Sequence, residues 1–207
     1  MKKAIIAVLI IICLVLTLLI SKKEKPIENV YLQPESGLTR VNAIEQTEVM
    51  VHPDFVKPPY EPVIPKGINL AIEGKVTVSS FVQAYNARKV NDGKTSGASY
   101  WEAESNSFPN TLEIDLGEVH TVHTIKVMLN PEANWGERTQ SFSIEAAVTT
   151  ENYSLIKVSQ DYLFTPDQLN EVVIEFEPTD VRWIKLEFTS NTGANGAQVA
   201  ELEVYGD

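Results

Sequence analysis

The chain has 207 residues, with 17 Lys and Arg against 28 Asp and Glu, a formal net charge of −11 and 43% hydrophobic residues. That hydrophobic share supports a packed core and excludes a disordered chain. The acidic balance argues against a nucleic-acid binder, which needs clustered Lys and Arg on phosphate, and against docking of the loops onto anionic lipid. The single cysteine, Cys13, excludes an intrachain disulfide framework and a cysteine zinc site.

Residues 4–20 read AIIAVLIIICLVLTLLI, 17 apolar residues interrupted only by the hydroxyl of Thr17. As a helix this run is about 26 Å long, at the short end of a membrane span. Lys2 and Lys3 precede it, Lys22, Lys23 and Lys25 follow it, and Leu18, Leu19 and Ile20 stand where a cleavage site would need small residues. Residues 1–21 therefore read as an uncleaved signal anchor, single-pass in the cell membrane. A cleaved secretory signal is the alternative, and both place the bulk of the chain outside the cell. Residues 22–66 hold seven of the 11 prolines. The stretch PDFVKPPYEPVIP lacks helical donors and reads as a semi-rigid, polyproline-like stalk. Residues 41–55 are apolar enough for a short strand or for packing on the domain.

Residues 67–207 form the expected globular part, with nine basic against 21 acidic residues, a net charge of −12. Their signal is alternation. Leu112, Ile114 and Leu116 alternate with acids, and the same period recurs at Ile125–Leu129, Phe142–Val148, Val172–Phe176, Ile184–Phe188 and Ala200–Val204, with Val76 and Val78 opening the series. Period two means one buried and one wet face, the pattern of antiparallel sheets packed face to face. The fold class is all-β, a jelly-roll β-sandwich, with no helical stripe of useful length.

Catalytic patterns are absent. No serine sits in a nucleophile elbow and no glycine run suits a phosphate. His120 and His123 point to opposite faces of an extended chain, which makes them poor co-ligands. Most carboxylates alternate with core residues and so line a solvated face. Two loops carry chemistry. In NARKVNDGKTSGASYWEAE, Asp92 in an Asp-Gly turn is followed by Thr95, Ser96 and Ser99; such oxygens suit a hard cation such as Ca²⁺, and equally a plain turn. In LNPEANWGERTQ, an exposed Trp135 can stack on a pyranose while Arg138 pairs with hydroxyls, or the indole can fold back onto the sandwich end.

Taken in order, Asn69-Leu70-Ala71, Ser79-Ser80, Ala87-x-Lys89-x-Asn91-Asp92-Gly93, Tyr100-Trp101-Glu102, Phe108-Pro109, Leu112-x-Ile114-Asp115-Leu116-Gly117, Trp135-Gly136-x-Arg138-Thr139-Gln140, Trp183-Ile184-Lys185-Leu186 and the closing Ala200-Glu201-Leu202-Glu203-Val204-Tyr205-Gly206 are similar to a known family. The chain resembles the discoidin, or coagulation factor V/VIII type C, domain, and within it the bacterial versions grouped with family thirty-two carbohydrate-binding modules. The resemblance implies a jelly roll with a structural Ca²⁺ near one end. Asp92 and Glu201 would be side-chain ligands, Ser99 a third where threonine is commoner, with Thr95 able to substitute. Main-chain oxygens of Lys89, Lys94 and Ala200 would complete the shell. Trp101 would pack inside.

Sugar sites in that family lie on loops at one end of the sandwich. By position, Trp135 and Arg138 are the candidates here, with Glu102, Asn106 and Asn191 as polar accessories. The loop before the last strand, Asn191-Thr192-Gly193-Ala194-Asn195-Gly196, lacks the aromatic that related domains often carry. The expected function is a non-catalytic, membrane-tethered extracellular module that recognises a polysaccharide. The alternative is a protein-interaction module of an envelope complex using the same loops.

Overall fold

The computed structural model describes residues 59–207. The expected anchor over 1–21, most of the stalk and the expected short strand within 41–55 lie outside the described residues. Among the described residues no helix is long and apolar enough to cross a membrane.

The strands are β1 (Ile68–Asn69), β2 (Lys75–Val78), β3 (Trp101–Glu102), β4 (Asn110–Met128), β5 (Arg138–Ala147), β6 (Ser154–Phe164), β7 (Glu171–Asn191), β8 (Gln198–Val199) and β9 (Glu201–Gly206). All pairings are antiparallel; seven strands run in the order β1-β9-β4-β7-β5-β6 with β2 also on β4, and β3 pairs with β8. The result is the all-β sandwich that the alternation implies. Helical structure among the described residues is confined to short 3-10 turns such as Ala87–Lys89 and Ala133–Trp135.

Two of the expected strand pairs are single long strands. β4 joins the stripe at 112–116 to that at 125–129, and β7 joins 172–176 to 184–188. Each is interrupted rather than ended. The β4–β7 register shifts between Asp115 and His120 and again between Val122 and Thr124. The second shift is a bulge at His123. It changes the inward set from Leu112, Ile114 and Val122 to Ile125 and Val127, all fully buried, so the apolar face stays on the core. Trp101, Phe142, Phe164 and Phe188 are the largest fully buried side chains. Each contributes on the order of 1.5–3 kcal/mol by leaving water. Trp101 is inside, as the resemblance implies, and its indole N–H donates to Ser80 O at 2.8 Å.

Strand β6 has no counterpart in the alternation. Its register against β5 shifts twice, between Phe142 and Ile144 and between Ile144 and Glu145, and such bulges break the period that a strand would show in sequence.

The last stalk residues are bound to this sandwich. The Tyr60 hydroxyl and the Val63 N–H both donate to Glu171 Oε1 at 2.9 Å, and Lys126 Nζ donates to Val63 O at 2.9 Å. Lys126 and Glu171 themselves pair at 2.7 Å with side chains only 7% and 3% exposed. A buried pair of this kind holds only where every remaining donor and acceptor finds a partner, and residues 60–63 supply those partners.

Candidate functional site

The two-residue pairing of β3 with β8 sets Trp101 against Val199 and Glu102 against Gln198. Gln198 is the hub of a hydrogen-bonded cluster at this end of the sandwich. Its Nε2 donates to Glu102 Oε2 at 3.0 Å, its Oε1 accepts from Arg138 Nη1 at 2.6 Å, and its main chain exchanges bonds of 2.8 and 2.9 Å with the Gln140 amide. Arg138 is only 9% exposed. Burial pulls its pKa down, opposed by the Glu102 carboxylate. Its Nε is buried without a hydrogen-bond partner. Gly193 lies directly over it: a Cβ there would stand 2.7 Å from Nε, so only glycine leaves the guanidinium its place.

The guanidinium carbon sits 4.8 Å from the centroid of the Trp135 ring. Trp135 closes the turn Ala133–Trp135, and Gly136 comes next at φ 60°, a left-handed conformation that suits glycine. The indole is half-buried and packs against the core. Tyr100 meets it at right angles, 4.7 Å between centroids, and stacks on Tyr85 at 4.3 Å. Burial, then Tyr85, raises the Tyr100 pKa, which keeps its hydroxyl protonated.

The structure thus brings Trp135, Arg138, Glu102 and Asn191 into one cluster. Asn191 donates to Gly196 O at 2.9 Å and to Gln198 Oε1 at 3.4 Å, and accepts from Gly193 N–H at 2.9 Å, so it fixes the loop over Arg138. Asn106 lies on an exposed turn and is tied to the same loop by its main-chain N–H on Asn195 O at 2.7 Å; among the described residues its side chain forms no hydrogen bond into the cluster. Tyr100 and Gln140, which stand in the family-like motifs, belong to the cluster, as do Tyr85 and Gln198, which no sequence motif marks. The β3–β8 pairing brings Glu102 to Gln198, and two-residue strands leave no periodic trace.

The second feature adjoins the first. Gly93 N–H lies 3.2 Å from both carboxylate oxygens of Glu201, Lys94 N–H donates to Asp92 Oδ1 at 3.1 Å, and Ser99 Oγ donates to Asp92 Oδ2 at 2.6 Å. Asp92, Ser99 and Glu201 therefore converge. Leu202 N–H on Val90 O (2.6 Å) and Ala200 N–H on Met128 O (2.8 Å) place Lys89 and Ala200 beside this pocket in the chain. Thr95 lies half-buried in the same loop.

Glu201 is 2% exposed. Desolvation pushes its pKa up to about 8, with Asp92 and Glu203 adding to the rise and the Gly93 and Lys94 amides opposing it. Among the described residues no Lys or Arg forms an ion pair with Glu201 or Asp92. No cluster of three or more His, Cys, Asp or Glu side chains occurs among the described residues. What the pocket offers is hard oxygen, two carboxyl groups and a hydroxyl, with no cation of the chain paired to them among the described residues. That donor set fits a divalent cation that prefers oxygen. Asn130 Nδ2 on Gly97 O (3.1 Å) and Gly97 N–H on Glu132 Oε1 (3.4 Å) tie this loop to the one carrying Trp135.

Residues 75–202 match the F5/8 type C domain family model, and the chain belongs to that family. No curated protein sequence matches it significantly. Among solved structures it is similar to a family 89 glycoside hydrolase from Clostridium perfringens (21% identity, TM-score 0.55), covering 68% of this chain and 15% of that one. It is similar also to chitosan-binding module 1 from a chitosanase/glucanase of Paenibacillus sp. IK-5 (22% identity, TM-score 0.55; 68% and 100% covered). A third likeness is to the family 32 carbohydrate-binding module of C. perfringens NanJ, solved in complex with galactose (21% identity, TM-score 0.54; 64% and 93% covered). The chain therefore spans a small part of the hydrolase and nearly the full length of the isolated modules. At this identity the likeness establishes the shared fold.

Proposed function

We propose that this chain is a non-catalytic carbohydrate-binding module, tethered to the cell membrane through residues 1–21 and displayed outside the cell, which recognises a polysaccharide at the Trp135 end of the sandwich. The observation that carries the reading is the Trp135–Arg138–Gln198–Glu102 cluster. It combines an aromatic surface with fixed polar groups, the combination that binds a sugar ring through its apolar face and its hydroxyls. Trp135 and Glu102 are the groups in position to meet a sugar, and Arg138 and Asn191 hold them. That solved modules of the same fold were crystallised with galactose or are named for chitosan binding supports this class of ligand. A single shallow site of this kind binds weakly, on the order of −4 kcal/mol, near millimolar.

In the same reading a structural Ca²⁺ is held by Asp92, Glu201 and Ser99, with the main-chain oxygens of Lys89, Lys94 and Ala200 completing the shell. The ion supplies the positive charge that the buried Glu201 lacks and so fixes the loop running from Asp92 to Tyr100.

Affinity electrophoresis through a panel of polysaccharides, wild type beside Trp135→Ala, tests the function. At least one polysaccharide should retard the wild type, and the variant should run as in its absence. No retardation by any polysaccharide, or equal retardation of the variant, would overturn it.

A further inference from the structure

Strand β2 bonds to β4 on one side and to no strand on the other. Thr77 pairs with Glu113, and Ser79 N–H continues the same register onto Thr111 O at 2.9 Å. In an antiparallel ladder alternate residues spend their main-chain groups on the partner, here Lys75, Thr77 and Ser79. Val76 and Val78 therefore turn their N–H and C=O groups away from β4, and among the described residues nothing bonds to them.

That open side faces a groove of about 440 Å³ lined by Val76, Val78, Phe81, Asn86 and Arg88. Phe81 is 50% exposed. Asn86 caps the turn Ala87–Lys89 by accepting from Arg88 N–H at 3.1 Å, which fixes where Arg88 departs. Arg88 brings a positive charge to this groove. Lys126, Arg182 and Lys185 are spent on Glu171, Asp115 and Glu145, and Arg138 is buried on Gln198. Arg88 and Lys89, like Lys75, Lys94 and Lys157 elsewhere on the domain, form no ion pair among the described residues, and of these Arg88 lines the groove. In a part of the chain with a net charge of −12, this is a spot of uncompensated positive charge.

We propose that β2 takes an extended acidic and apolar segment of a partner protein as an added strand, with Val76 and Val78 supplying main-chain hydrogen bonds, Phe81 covering an apolar side chain and Arg88 pairing with a carboxylate. The free groups recur every second residue, about 6.8 Å apart, which is the repeat of a peptide strand. An acidic glycan would satisfy Arg88 but cannot answer that ladder of amides and carbonyls. The groove's lining shares no residue with the Trp135 cluster, though Asn86 follows the cluster's Tyr85 in the chain, and the proposal does not require carbohydrate binding.

The test uses the isotope-labelled full-length chain and four probes: a capped hexapeptide alternating valine and glutamate, the same peptide N-methylated at alternate residues, its lysine counterpart, and an oligogalacturonate. The glutamate peptide, at about tenfold above its Kd, should slow hydrogen exchange at the Val76 and Val78 amides about tenfold. It should leave the Trp135 indole signal unmoved. The N-methylated and lysine peptides should leave both amides unprotected. Arg88→Glu should remove the response to the glutamate peptide and create one to the lysine peptide. Unchanged exchange at both amides with the glutamate peptide, equal protection by the N-methylated peptide, or protection by the oligogalacturonate would each overturn it.

Discussion

Glu171 and Glu201 occupy the same row of the sheet on either side of Met128, which pairs with both. Their charges are handled in opposite ways. Glu171 is neutralised within the chain, by Lys126 at 2.7 Å. Glu201 has the Gly93 amide and the neighbouring Asp92 but no cation of the protein's own. One row of three residues thus contains an acid paired with a cation of the chain and an acid without one.

Chelation is the direct check. With Ca²⁺ bound only by the folded state, calcium at about 100 times its Kd adds about 2.7 kcal/mol. The melting temperature of the full chain should fall when a chelator replaces calcium. Glu201→Gln and Asp92→Ala should each remove that difference. An identical melting curve with and without the chelator sinks the calcium reading.

In calcium-free buffer the same carboxyl gives a pH signature. Its folded pKa of about 8 lies above its ordinary 4.5. Between those values the folded state keeps a proton that the unfolded state has released. Stability therefore falls as pH rises through this window, by up to about 1.4 kcal/mol per pH unit from this one group. Thermal melts from pH 5 to pH 8 should show the fall in wild type and a flatter profile in Glu201→Gln. A profile unaffected by that substitution removes Glu201 as its source.

Gly193→Ala addresses the sugar cluster without touching an aromatic residue. Its Cβ would lie 2.7 Å from Arg138 Nε and 2.8 Å from Cδ. Displacing a packed, buried guanidinium costs about 1–3 kcal/mol, the usual scale for overpacking. Retention by polysaccharide should be lost together with the Arg138–Gln198 bond, and a melt should record the destabilisation. Unchanged retention in the variant shows that Arg138 does not set the cluster.

Lys126→Ala leaves Glu171 buried without its cation, a change that costs about 3–5 kcal/mol. The paired replacement Lys126→Met with Glu171→Leu removes both charges, and most of that loss should be regained. The double variant also lacks the acceptor for Tyr60 and Val63, so trypsin should reach Lys66 faster than in wild type. Equal cleavage rates would show that the ion pair does not hold residues 60–63.

The core was open to reading because burial on one face imposes period two, and Leu112, Ile114 and Leu116 or Ile184, Leu186 and Phe188 obey it without interruption. Continuity was not readable: nothing in the alternation tells that β4 runs on through the bulge at His123. Strand β6 was hidden by its own bulges. Asp92 and Glu201 could be linked only through family likeness, since 108 residues separate Gly93 from the carboxylate it meets. Tyr85 and Gln198 carried no mark at all, because their role arises from tertiary pairing. Arg138 and Asn191 were visible as polar residues on loops. Their burial and mutual bonding, which make them supports for Trp135 and Glu102, exist only in three dimensions.

The bonds from residues 60–63 to Lys126 and Glu171 precede β1 in the chain. Tension arriving from the N-terminal side therefore meets the middle of the sheet, at β4 and β7, before it reaches the two-residue edge pairing of β1 with β9. That edge would peel open one bond at a time under a pull. The earlier grip shields it, and such a pull would be passed to the strands with the longest shared ladder.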